Sequence, residues 1–93
     1  MTLGVLVLHL AVPDSRSLKD KRSILLRLFS RVRRTFNVSV SEVGDRDIRD
    51  RSIVAVAEVN SDKVHCNATL LAVRREVEQT AGIVLSDFTL EFV

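Results

Sequence analysis

Eight basic side chains crowd residues 14–36: Arg16, Lys19, Lys21, Arg22, Arg27, Arg31, Arg33 and Arg34. Asp14 and Asp20 are the only acidic residues in that stretch. A row of guanidinium and ammonium groups on one element can hold phosphates, with salt-dependent affinity and little sequence reading. The same row also serves as an ordinary solvated helix face, and both readings stand. No other set of residues has catalytic spacing. His9 and His65 lie far apart, without a carboxylate or thiol at motif distance. Asp45, Asp47 and Asp50 alternate with Arg46, Arg49 and Arg51. That loop reads as self-neutralising surface, since no calcium-loop spacing is present. Glycine-rich phosphate loops, nucleophile elbows and zinc-protease spacings are absent. The expectation is therefore a non-enzymatic protein with no cofactor and no metal.

Composition sets the bounds on what positions these groups. The chain has 93 residues, 46% hydrophobic and 28% charged, which suits one folded domain over residues 1–93 and excludes disorder. A single cysteine excludes an internal disulfide and a cysteine-paired zinc site. The net charge is +2, too small to imply a nucleic-acid partner by itself. It is segregated, however: the basic stretch carries an excess of six positive charges and the remainder a net −4. The apolar run Leu3–Val12 lacks the flanks of a signal peptide and is too short for a membrane helix. A cytoplasmic protein without a membrane partner is expected.

Residues 4–12 are apolar on both parities and read as a central strand, ended by Pro13-Asp14-Ser15. Ser17 is a good N-cap, with Asp20 three residues on as a capping-box partner. An amphipathic helix of about 16 residues follows, with Leu18, Leu25, Leu28, Phe29, Val32 and Phe36 on one arc. Arg27, Arg31 and Arg34 fall opposite it, and Lys19, Arg22 and Arg33 flank Leu26. Lys21 lies beside the apolar arc, so its stem is expected to pass the core edge while its ammonium reaches water.

Residues 36–43 alternate with period two and read as a half-buried strand. A loop, Gly44–Arg51, leads to a third strand over 52–59 that is apolar on both parities for most of its length. Ser61 or Asp62 caps a second helix, whose stripe Cys66, Leu70, Val73 and Val77 faces the core. Cys66 thus reads as a small buried hydrophobe. Gly82 closes that region and Phe88–Phe92 forms an edge strand.

The order βαββαβ predicts an α+β, ferredoxin-like sandwich: a four-stranded antiparallel sheet with two helices on one face. The other face is then open. Val5, Val7, Val54 and Val56 are expected at its centre, with His9, Ala11 and Glu58 beside them and polar residues at the edges. All four phenylalanines fall on core positions, which disfavours base stacking on the sheet. An apolar patch with a polar rim suits protein contact, and a homodimer through this face is the alternative to the basic helix.

The run Arg16-Ser17-Leu18-Lys19-Asp20-Lys21-Arg22 after a strand ending in Pro13, the segment Phe36-Asn37-Val38-Ser39-Val40-Ser41-Glu42-Val43 and the helix start Asn60-Ser61-Asp62 resemble the YlxP-like family of small bacterial proteins. The resemblance covers essentially the whole chain and implies a ferredoxin-like fold. Family members are often encoded near a translation initiation factor and ribosome-binding factor A. The resemblance thus implies ribosomal RNA or the small ribosomal subunit as partner. The chain departs from the family pattern at Arg49, where an aromatic is expected, and at Ser52, where alanine is expected.

Overall fold

The computed structural model describes residues 1–93. Its elements are β1 (Thr2–Ala11), α1 (Leu18–Thr35), β2 (Ser39–Gly44), β3 (Arg51–Asn60), α2 (Lys63–Glu78) and β4 (Val84–Phe92). All strand pairs are antiparallel and the sheet order is β2-β3-β1-β4, which places the two doubly apolar strands at the centre. This is the expected ferredoxin-like arrangement.

Local chemistry accounts for the boundaries. Ser17 caps α1 by accepting from the Asp20 amide at 3.0 Å. Asp20 Oδ2 reaches back to accept from the Arg16 amide at 3.1 Å, one residue before the cap itself. One orphan donor of the first turn and the amide just before the cap are thereby satisfied internally. Asp62 caps α2, accepting from the amides of Val64 and His65. Two strands differ from expectation. β2 begins at Ser39 because Phe36 is the C-cap of α1, its amide donating to Val32 O. β4 begins four residues early, at Val84, because a register shift opposite His9/Leu10 leaves Ser86 unpaired and breaks the alternation.

The core lies between the sheet and the helices. Leu6, Leu8 and Leu10 of β1 meet Leu25, Leu28, Phe29 and Val32 of α1 and Cys66, Leu70, Val73 and Val77 of α2. α2 approaches β1 so closely that a Cβ on Gly4 would sit 2.6 Å from Leu70 Cδ1 and 2.8 Å from Cys66 Sγ. Both neighbours are fully buried, so only glycine fits at this crossing.

The register corrects the expected phase of β3. Leu6 pairs with Val56 and Leu8 with Val54, and directly opposed residues share a face. Val54 and Val56 are therefore core residues, each 1% exposed, and Glu58 points to the helices with them. The open face takes Ile53, Ala55, Ala57 and Val59 from β3, beside Val5, Val7, His9 and Ala11 of β1. Ser39 and Ser41 border it on one edge and Asp87, Thr89 and Glu91 on the other.

Candidate phosphate-binding face of the first helix

α1 presents its charges unequally. Arg16, just before the cap, and Lys19, Arg22, Arg27 and Arg34 on the helix are exposed, and none makes an ion pair. No carboxylate residue occurs between Asp20 and Glu42. Four of these cations are spread along a helix of 18 residues, which spans roughly 27 Å at about 1.5 Å per residue.

The other three predicted cations make contacts within the protein. Lys21 is fully buried, against the expectation that its ammonium reaches water. Its Nζ donates to the carbonyls of Asp45 at 2.8 Å, Arg51 at 3.1 Å and Arg46 at 3.2 Å. It also pairs with Glu42 Oε2 at 2.9 Å, which in turn accepts from Ser52 Oγ at 2.7 Å. Four acceptors surround three protons, so Lys21 has nothing left for a phosphate. It anchors the β2–β3 loop, where Asp45 adopts a positive φ of 55°.

Arg31 leans onto α2, with Nε 3.0 Å from Glu76 Oε1 and Nη2 donating to Thr80 Oγ1. Arg33 is exposed, but its Nη2 donates to Val40 O at 3.0 Å and its guanidinium lies 5.8 Å from the Phe29 ring centroid. It fastens the end of α1 to β2.

The remaining chemistry-bearing groups stay separate. His9 sits half-buried on the open face and His65 is exposed in the first turn of α2. Cys66 is fully buried. Burial pushes its thiol pKa up, the neighbouring Glu58 carboxylate pushes the same way, and the Gly4 backbone opposes them, while the Sγ itself donates to the Glu58 carbonyl at 3.8 Å. Glu58 is itself buried, and its Oε1 has no hydrogen-bond partner. The structure brings together no group of three or more histidine, cysteine or carboxylate side chains that could hold a metal ion. No helix is long and apolar enough to cross a membrane.

Sequence reasoning missed a cleft beside α1. Ile24, Arg27, Leu28 and Arg31 meet the turn Thr80-Ala81-Gly82 after α2 around a hollow of about 320 Å3. The spacing of Arg27 and Arg31, one helical turn apart, was the available signal. The turn comes from the far end of the chain, so the spacing alone could not complete the site.

A family model described as "Protein of unknown function (DUF503)" matches residues 3–90. The uncharacterized protein YlxP of Bacillus subtilis (strain 168) is 42% identical over 57 residues. That stretch covers 61% of this chain and 62% of the relative, so the match spans less than two thirds of the relative's length. Among solved structures, the de novo designed protein Foldit4 superposes with a TM-score of 0.56 at 14% identity, covering 100% of this chain and 97% of that one. This likeness is one of fold.

Proposed function

The chain belongs to the DUF503 family of proteins of unknown function, and from that premise we propose that it is a non-enzymatic module that docks on RNA through α1. The observation that carries this reading is the set of five exposed, unpaired cations, Arg16, Lys19, Arg22, Arg27 and Arg34, on and just before one helix. Such groups position a protein on a phosphate backbone and do not discriminate bases. Binding is therefore salt-dependent and tolerant of sequence. The family's translation setting makes ribosomal RNA of the small subunit the partner to try. Titrating purified small ribosomal subunits tests this, with a Lys19→Glu/Arg22→Glu/Arg27→Glu variant alongside. Saturable binding that the variant loses supports the reading. Equal binding by both proteins refutes it.

A second reading rests on the opposite face. Val5, Val7, Ile53, Ala55, Ala57 and Val59 form an apolar strip that no element covers, and Val59 is 67% exposed. A homodimer through this strip is compatible with RNA contact by α1, because the two use opposite sides of the protein. Sedimentation of the wild type beside Val7→Glu decides it: a dimer that the variant dissociates supports the reading, and a monomeric wild type removes it.

A further inference from the structure

We propose that the cleft between α1 and the turn after α2 is a phosphate-binding site, in which the guanidinium groups of Arg27 and Arg31 meet the backbone amides of Ala81 and Gly82. The proposal deepens the reading of α1 as an RNA-docking helix and rests on it for the source of the phosphate. Its chemistry stands on the cleft itself.

Arg27 and Arg31 are separated by one helical turn, so their side chains emerge on the same side of α1. Like charges at this spacing repel, and a bound anion relieves the repulsion. Arg31 is held in place: its Nε lies 3.0 Å from Glu76 Oε1 as an ion pair without hydrogen-bond geometry, and Thr80 Oγ1 accepts from its Nη2. Thr80 Oγ1 is itself fixed by donating to Glu76 O at 2.8 Å. The Nη1 of Arg31 makes no hydrogen bond in the protein, and neither does any nitrogen of the Arg27 guanidinium. One cation is therefore pre-oriented and the other is free to close on a ligand. That combination reduces the ordering cost of binding while leaving a mobile clamp.

The turn supplies donors. Thr80 N–H bonds to Val77 O and Ile83 N–H to Thr80 O, but the amides of Ala81 and Gly82 between them donate to nothing in the protein. Gly82 has a φ of +83°, and a Cβ there would meet no atom within 4 Å. Glycine suits this position for its backbone conformation and not for lack of space. Successive free amides in a turn containing a left-handed residue make a concavity suited to an anion.

The charge around the cleft favours an anion. No carboxylate lines the cleft, and Glu76 beside it already pairs with Arg31. Asp14 and Asp20 border Arg27 across a neighbouring hollow, without an ion pair. The floor is apolar, with Ile24 partly buried and Leu28 only 2% exposed. Two guanidiniums over an aliphatic floor accept a phosphate together with the sugar or base that carries it. The ligand class is a phosphoryl group, from an RNA chain or from a free nucleotide.

Amide and arginine Nε resonances of the 15N-labelled full chain test this, with titrations of inorganic phosphate, adenosine 5′-monophosphate and a short RNA hairpin. Saturable shifts at Ala81, Gly82, Arg27 and Arg31 are expected with at least one probe. Arg27→Gln is expected to weaken them about tenfold, the loss typical of a charge-assisted hydrogen bond. Arg27 is exposed, and the variant's own spectrum reports that the fold is kept. Shifts with the hairpin alone assign the site to an RNA phosphate, and shifts with the monophosphate assign it to a nucleotide. Salt-dependent hairpin binding that leaves Ala81 and Gly82 unmoved overturns the cleft and keeps the RNA reading. Phosphate or monophosphate shifts without hairpin binding keep the cleft and overturn the RNA reading. No shift at these residues with any probe overturns the cleft.

Discussion

Lys21 Nζ lies 2.9 Å from Glu42 Oε2, and this buried contact locks the first helix to the strand and loop that follow it. Three loop carbonyls complete the coordination of the same ammonium. The most basic stretch of the chain thus contains a fully buried cation that serves the fold and not the surface. Removing one partner of such a pair leaves the other charge buried and uncompensated, which costs far more than the pair gains over apolar packing.

Lys21→Met is therefore expected to destabilise the protein by about 3–5 kcal/mol. Urea unfolding measures this directly. Lys21→Arg is not a conservative repair, because a planar fork does not fit a cage built for a compact ammonium. A Lys21→Met variant as stable as the wild type would show that the buried cage contributes nothing.

Cys66 gives a pH-dependent prediction. Its folded pKa is raised by burial first and then by Glu58. As pH rises past the ordinary thiol value of 9.0, the unfolded chain releases its proton while the folded chain keeps it. The unfolded state then binds fewer protons, so stability falls with rising pH, up to the folded value. Cys66→Ala lacks this titration. The stability lead of the wild type over Cys66→Ala should narrow between neutral pH and about pH 10. A lead that stays constant across that range contradicts the assignment.

The corrected phase of β3 predicts opposite outcomes for two valine substitutions. Val54 is 1% exposed beneath the helices, whereas Val7 lies half-buried on the open face. Val54→Glu places a carboxylate in the core without a partner and should abolish cooperative thermal unfolding. Val7→Glu should keep the circular dichroism spectrum and a cooperative transition. The reverse order of sensitivity would mean that β3 faces the other way.

The fold was legible because alternation, caps and element order agreed with one another. Ser17, Asp62 and the stripe Cys66, Leu70, Val73, Val77 each pointed to the element that formed. The phase of β3 was not legible from periodicity, since Ile53 to Ala57 is apolar on both parities. Residue size was the overlooked signal: the larger Val54 and Val56 fill the core, while Ala55 and Ala57 lie on the open face. The fate of Lys21 was hidden for a different reason. Its partners lie 21 to 30 residues further along the chain, and three of them are backbone carbonyls that carry no residue signature. Periodicity placed Arg27 and Arg34 away from the apolar arc, where they are exposed, but the engagement of Arg31 and Arg33 depends on α2 and β2 packing beside them.

The salt dependence of RNA binding tests the central claim most directly. Affinity for a structured hairpin is measured across a salt series, and log K is plotted against log salt. Five available cations predict a linear fall with a slope of up to about −4.5, at roughly −0.9 per phosphate neutralised. Lys19→Glu/Arg22→Glu/Arg27→Glu should lose most of that slope, whereas Lys19, Arg22 and Arg27 left intact beside Val7→Glu should retain it. A flat salt response, or an equal slope in the triple variant, would contradict a phosphate-docking role for the first helix.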